Sequence, residues 1–285
     1  MTNLSLVIFY RSNPPLTKKK PEYIIKPNLK GVKIMKFNVI SFNIRYTNDP
    51  DGHSIQERAP RLKQIISQHD PDLIGFQECR PRWWPYIYAD YSKDYGIFNR
   101  YRAFDESESS PILWKKDKFE CVDSGYFWLS DTPTVESRGW DETGCYRMCA
   151  WVNLKHKESG KIFTFMNTHF GFGEKCQLDS VELIHKYNLE ISDYPTLITG
   201  DFNMSRRFPS YERITSYYTD VNAATVNDTR NTYHGYKTDR PEYGPIDYCF
   251  VNEGFKPLLH ERLDQTFDGK FPSDHYGIRM ELELL

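Results

Sequence analysis

Six short stretches of this sequence set side chains that bind hard metal ions or move protons beside an apolar run. VISFN closes on Asn43, DLIGFQE on Glu78 and FTFMNTH on His169, while TLITGDFN carries Asp201 and Asn203. In PIDYCFV, Asp247 opens an apolar run, and PSDHYG supplies Asp274 and His275. Carboxylate and amide oxygens are the donors that suit a small, hard cation such as Mg²⁺, and His beside Asp is the usual equipment for moving protons near neutral pH. Each residue also has an ordinary reading. Glu78 could be a turn residue facing solvent, Asp201 a turn cap, Asn203 an Asx-turn donor and His169 a satisfied interior histidine. Asp247, if buried, needs a partner in any case, and Asp274-His275 could be plain loop. What favours a shared site is that so many polar residues stand where apolar strands end, the place where loops of an α/β sheet bring distant segments together.

The elements that would position them are legible as short runs rich in β-branched and aromatic residues. Strands are expected at Phe37 to Phe42, Leu73 to Phe76, Ile112 to Trp114, Cys149 to Leu154, Ile162 to Met166, Thr196 to Thr199, Tyr248 to Val251 and Gly277 to Leu282. Helical spacing places Ala59, Leu62, Ile65 and Ile66 on one face of Glu57 to His69, and a second helix is expected over Leu178 to Leu189. The mixture predicts an α/β fold with both mixed and antiparallel pairing, because several strands follow one another without a helix between.

Residues 11 to 34 carry separated Pro sites and a Lys run without amphipathic period, the composition of a tail. The folded domain is expected over 35–285, with residues 1–34 an extension. Lys30-Gly31-Val32 can be encoded by a purine-rich ribosome-binding tract, so Met35 is a candidate for the true start. The apolar stretch Leu4 to Tyr10 is too short for a membrane span and lacks the flanks of a signal peptide. A soluble, cytoplasmic protein is expected. Lys and Arg number 37 against 39 Asp and Glu, a net charge of -2, so the basic excess needed to hold long polyanions is missing. The six cysteines show neither a C-x-x-C pair nor zinc-finger spacing to a histidine and read as ordinary thiols.

Together SFNIR, GFQE, NTHF, TGDFN, IDYCFV and SDHYG resemble, in order, the motifs of the endonuclease/exonuclease/phosphatase superfamily, over nearly all of residues 36 to 285. SGYFWLSDTP and GWDETG further resemble an uncharacterised bacterial branch of it. The resemblance implies a DNase I-like four-layer α/β sandwich, two packed mixed β-sheets flanked by helices, with the site at one edge of the sheets. It implies a Mg²⁺-dependent phosphoesterase, Mn²⁺ being a substitute, that attacks a phosphodiester or phosphomonoester with water in line. Glu78, Asn43 and Asp274 would serve the metal. Asp201 would orient or deprotonate the water and Asn203 would donate to the scissile phosphate. His275 would be held by Asp247, and His169 by Glu108 of DESESSPILW, with Glu106 as the alternative partner.

One departure concerns Arg45, which stands where the abasic-endonuclease branch has an aspartate near its metal, and so argues against transferring that branch's repair role. Arg45 and Arg147 are candidate phosphate clamps, since the guanidinium fork matches phosphate oxygens, although Arg147 also reads as a surface ion-pair partner. His234 in NTYHGYK is a candidate for the pocket lining. Trp83-Trp84-Pro85-Tyr86 reads as core or helix packing, with an aromatic wall as the alternative. A small molecule or short nucleic acid is the expected substrate, with a nuclease as the competing reading and no obligate protein partner evident. A catalytically silent module of the same fold would leave the acid and histidine set without purpose, and a glycosidase using Glu78 and Asp201 would leave SDH idle.

Overall fold

The computed structural model describes residues 35–104 and 108–285. The expectations for residues 1–34, and Glu106 as a partner of His169, lie outside the described residues. In chain order the elements are β1 (Met35–Asn43), α1 (Ile55–His69), β2 (Leu73–Gln77), α2 (Trp84–Tyr91), β3 (Tyr95–Phe98), β4 (Ile112–Lys115), β5 (Phe119–Trp128) and β6 (Met148–His156). They continue with β7 (Ile162–His169), α3 (Glu174–Ile191), β8 (Thr196–Asp201), α4 (Pro209–Thr215), β9 (Thr219–Asp220), β10 (Asp247–Val251), β11 (Phe255–Leu263) and β12 (Gly277–Leu284).

Twelve strands form two six-stranded mixed sheets, in the orders β11-β12-β1-β2-β4-β3 and β5-β6-β7-β8-β10-β9. Each sheet is built around one parallel pair joined by a helix: β1-α1-β2 in the first and β7-α3-β8 in the second. A parallel pair needs such a crossover, and it leaves both strands ending at the same edge. Asn43 therefore lies opposite Gln77, and His169 opposite Asp201. Between the sheets lies one apolar cluster that includes Phe37, Leu73, Phe163, Phe165, Leu197 and Met280. Ile55, Ala59, Leu62 and Ile66 of α1 pack with Trp83 and Ile87 on the outer face of the first sheet. Val181 and Ile184 of α3 and Ile214 of α4 pack on the outer face of the second. These are the four layers of a DNase I-like α/β sandwich. Among the described residues no helix is long and apolar enough to cross a membrane.

The expected strands are present. The strands without an apolar signal are mostly at or near sheet edges. β5 alternates poorly because Glu120, Asp123 and Ser124 face solvent, and β11 carries Pro257 beside a register shift, as an edge tolerates. Trp83 is wholly buried at the start of α2 and donates from its indole to the Arg45 carbonyl at 2.9 Å, so the aromatic cluster is packing and not an open wall. Helix α1 begins at Ile55, two residues earlier than the apolar spacing indicates, because Ser54 and Glu57 form a capping box.

Beneath the strand tips a polar clamp ties the sheets together. Asn167 of β7 donates to the Phe76 and Pro111 carbonyls of the facing sheet at 2.7 and 3.1 Å, and its oxygen accepts from Gln77 at 2.7 Å and Thr199 at 3.0 Å. Gly75 makes room for it, since a Cβ there would lie 2.5 Å from the Thr199 hydroxyl and 2.7 Å from the Asn167 oxygen. Asn167→Ala leaves buried donors and acceptors unpaired on both sheets and is expected to lower the unfolding free energy by about 3 kcal/mol in urea titration. A loss under about 0.5 kcal/mol, the scale of an ordinary surface change, would show that the clamp carries no weight.

The loop after β1 is held by a second buried device. Arg58 of α1 is fully buried and donates to the carbonyls of Ile44, Arg45, Thr47 and His53. Arg58→Met keeps the apolar stem and strips those carbonyls of their donor. It is expected to cost about 3 kcal/mol and to speed hydrogen exchange in residues 44–53; unchanged exchange there would contradict the assigned role.

Candidate active site

At the shared edge of the two sheets, three chain segments turn sharply through left-handed backbone at residues that are not glycine. Arg45, Glu78 and Asn203 have φ of 59°, 60° and 49°. Such a conformation is uncommon for a side chain larger than glycine and persists where surrounding contacts enforce it, often at functional sites. Here it re-aims the chain just beyond β1, β2 and β8. The segment before β12 is drawn in by Ser273, whose hydroxyl donates to the Asn43 carbonyl at 2.6 Å. The Asp274 carbonyl accepts from His234 and Gly235 backbone N–H groups at 2.9 and 3.0 Å.

Asp201 is the hub. Its Oδ2 accepts from the Asn43 side-chain amide at 2.9 Å and lies 3.6 Å from His169 Nε2 and 3.7 Å from His275 Nε2. Its Oδ1 accepts from the Asn203 backbone at 3.0 Å. Each histidine is gripped from behind by another carboxylate. His275 Nδ1 is 2.9 Å from Asp247 Oδ2, and His169 Nδ1 is 3.2 Å from Glu108 Oε1. That arrangement aims both Nε2 atoms into the same space. Burial alone would depress the His275 pKa, but Asp247 and Asp201 override it and hold it well above the ordinary value. Burial pushes Glu108 the other way from its partners: its contacts with His169, Arg102 and Arg147 prevail and bring its carboxyl down to about 2.

Among the described residues Glu78 is the acid of this group without an ion pair to Lys, Arg or His. It accepts from Asn43 at 3.2 Å and from the Tyr46 backbone at 2.9 Å, yet burial first, and then the charges of Glu108 and Asp274, push its pKa up. Buried carboxylates that repel one another and offer hard oxygens fit a divalent cation. Asp201, Asp247 and His275 also place ligand atoms within 4.8 Å of one another. In this arrangement both ring nitrogens of His275 are turned to carboxylates, Nδ1 to Asp247 and Nε2 to Asp201.

Several residues sit differently from a bare list of ligands. Asn43 turns its amide nitrogen toward Glu78 and Asp201, while its oxygen accepts from the Arg45 backbone at 3.0 Å. In this arrangement it braces the carboxylates. Asn203 donates one side-chain hydrogen to the Phe170 carbonyl at 2.9 Å. Arg45 hydrogen bonds to Asp49 and comes within 3.5 Å of Asp274. Arg147 is buried, paired with Asp141 at 2.6 Å, and lines a small cleft together with Arg102, Glu108, Ser109, Ser110 and His169. It is not a surface ion pair. His234 is buried among Phe271 and Tyr276 and accepts from the Tyr236 backbone, and burial lowers its pKa to about 3. It forms the wall behind Asp274. Two arginines at the site, Arg80 and Arg102, stand out only in three dimensions: Arg102 donates to Glu108 at 2.8 Å, and Arg80 lies 3.9 Å from the same carboxylate.

No family model matches the chain. An uncharacterised protein of Acanthamoeba polyphaga mimivirus is 28% identical over 185 residues, 60% of this chain and 67% of that protein. A mannosyl-6-phosphatase of Bacteroides thetaiotaomicron is 29% identical with a TM-score of 0.80, the match covering 86% of this chain and 99% of that one. The crystal structure of an endonuclease/exonuclease/phosphatase protein from Bacteroides vulgatus is 31% identical with a TM-score of 0.79, over 88% of this chain and 100% of that one. With the shared fold, this likeness over almost the whole described chain establishes that the protein belongs to the endonuclease/exonuclease/phosphatase family, as a hydrolase acting on phosphate ester bonds.

Proposed function

We propose that the chain hydrolyses a small phosphate ester by in-line attack of water, with a divalent cation, Mg²⁺ or Mn²⁺, as cofactor. The observation that carries this reading is the convergence of His169 Nε2, His275 Nε2 and the Asn43 amide on one oxygen of Asp201. Glu78 and Asp274 would hold the cation, with Asn43 bracing Glu78. When bound, that cation neutralises charge on the non-bridging phosphate oxygens and on the departing alkoxide.

The remaining chemistry falls to the chain's own groups. Asp201 orients the water and accepts its proton as the water oxygen bonds to phosphorus. The ester P–O bond breaks, its electron pair leaves on the ester oxygen, and that oxygen takes a proton from water in the cleft. His275, kept protonated by Asp247, presents Nε2–H to the charge that builds on the phosphate, and Glu108, gripping His169 at Nδ1, aims the other ring nitrogen into the same space from the other side. Asn203 has a second amide hydrogen for a phosphate oxygen, since the Phe170 carbonyl engages the other. Arg45 and Arg147 supply further positive charge, and His234 steadies Asp274 from behind. No covalent enzyme intermediate is needed.

A small substrate is favoured by the net charge of -2, and the 29% identity to a mannosyl-6-phosphatase makes sugar phosphates the first class to assay. The test is a panel of aryl phosphates, sugar phosphates, nucleotides and oligonucleotides with Mg²⁺ and with Mn²⁺. Asp201→Ala and His275→Ala are each expected to lower kcat by about 10³-fold, with the far-UV spectrum unchanged. Near-normal turnover in either variant would refute the mechanism.

A further inference from the structure

Arg80, two residues beyond Glu78, is the arginine at this site with the poorest set of partners. Its Nε is buried and meets no hydrogen-bond acceptor among the described residues. The closest charged contact, to Glu108 Oε2, is 3.9 Å, longer than a hydrogen bond, and Glu108 is already engaged by Arg102 and His169. By contrast Arg45 is hydrogen bonded to Asp49 and Arg147 to Asp141. Although Nε is buried, about a third of the Arg80 side chain, 37%, reaches solvent.

Its position is nonetheless fixed. The guanidinium carbon lies 4.1 Å from the centroid of the Tyr46 ring, and that of Arg45 lies 5.2 Å from the same centroid. Tyr46 is in turn anchored where its backbone N–H donates to Glu78. One aromatic ring thus lies within cation–π distance of two guanidinium groups beside the acid that would hold the cation.

We infer that Arg80, held on Tyr46 beside Arg45, is a specificity residue that grips a terminal phosphate and selects phosphomonoesters over phosphodiesters. A monoester phosphate presents three acceptor oxygens and a charge of about -1.5 to -2 near neutral pH. A diester has one charge, and its second substituent occupies the oxygen that a peripheral guanidinium would fork. An unfilled cation at the lip of a site already crowded with arginines favours the more highly charged ligand. The inference rests on the phosphoesterase reading and narrows it.

The test compares Arg80→Gln and Arg80→Lys with the wild-type chain on p-nitrophenyl phosphate and bis(p-nitrophenyl) phosphate. Arg80→Gln should lower kcat/KM for the monoester about 30-fold, mainly through KM, as expected for losing a charge-assisted hydrogen bond. The diester should change by less than about 3-fold, and Arg80→Lys, which keeps the charge without the fork, should fall between. Equal losses on both substrates, no loss on either, or a wild-type preference for the diester overturns the inference. Calorimetric binding of inorganic phosphate gives a readout independent of turnover: about 10-fold weaker binding in Arg80→Gln is expected. Equal affinity overturns the role of Arg80 even if the chain turns over neither substrate, whereas absent turnover alone would count against the phosphoesterase reading.

Discussion

Glu78, Glu108, Asp201, Asp247 and Asp274 are all less than a tenth exposed and lie at one edge of two facing sheets. Burying a carboxylate is expensive unless it is paired and hydrogen bonded, and burying several together adds mutual repulsion. Almost every polar feature of the site answers that cost. Arg102 and His169 neutralise Glu108, His275 sits between Asp247 and Asp201, and the Asn43 amide spans Asp201 and Glu78. Glu78 is left with only hydrogen bonds from an amide and a backbone N–H, and its raised pKa records the shortfall. On the proposed reading, a divalent cation would supply what is missing.

The fold makes that crowding possible through repetition of one local device. Each sheet contains a β-α-β unit whose two parallel strands end together, so Asn43 and Glu78 emerge from one sheet where His169 and Asp201 emerge from the other. The sheets must then keep a fixed spacing just below these tips. Asn167 does this by reaching across to carbonyls of β2 and the segment before β4, with Gly75 opposite it bare of a side chain. Arg58, from the outer helix, fastens the loop that carries Arg45 and Tyr46.

The sequence was legible where burial is two-sided. β2, β8 and β10 are buried at every position, so they read as short, largely apolar runs, and the charged and amide residues at their ends stand out against them. β5 and β11, the outer strands, mix charges with apolar residues because one face meets water, and no periodic signal survives. Glu108 reaches His169 from 61 residues away, across a loop without regular structure, and only family resemblance pointed to it. Arg58, Arg80 and Arg102 look like surface arginines in a linear reading; what distinguishes Arg58 and Arg102 is burial, and Arg80 its contact with the Tyr46 ring, both of which depend on the finished fold. The turn of the Asn43 amide toward the acids is likewise set by the Arg45 backbone N–H, a contact made by the left-handed bend at Arg45.

The family assignment accounts for the class of reaction, and the geometry accounts for why these acids are gathered in a place where they repel. The central claim is that the gathered acids, Glu78 foremost, exist to hold a divalent cation. Calorimetric titration of the wild-type chain and of Glu78→Gln with Mg²⁺ in the absence of any substrate, paired with thermal unfolding, tests this most directly. The account predicts saturable binding and a rise in melting temperature for the wild type, since a ligand of the native state stabilises it, with both effects lost in Glu78→Gln. Heats no larger than dilution and an unmoved melting temperature in the wild type, or equal binding by the variant, would contradict it.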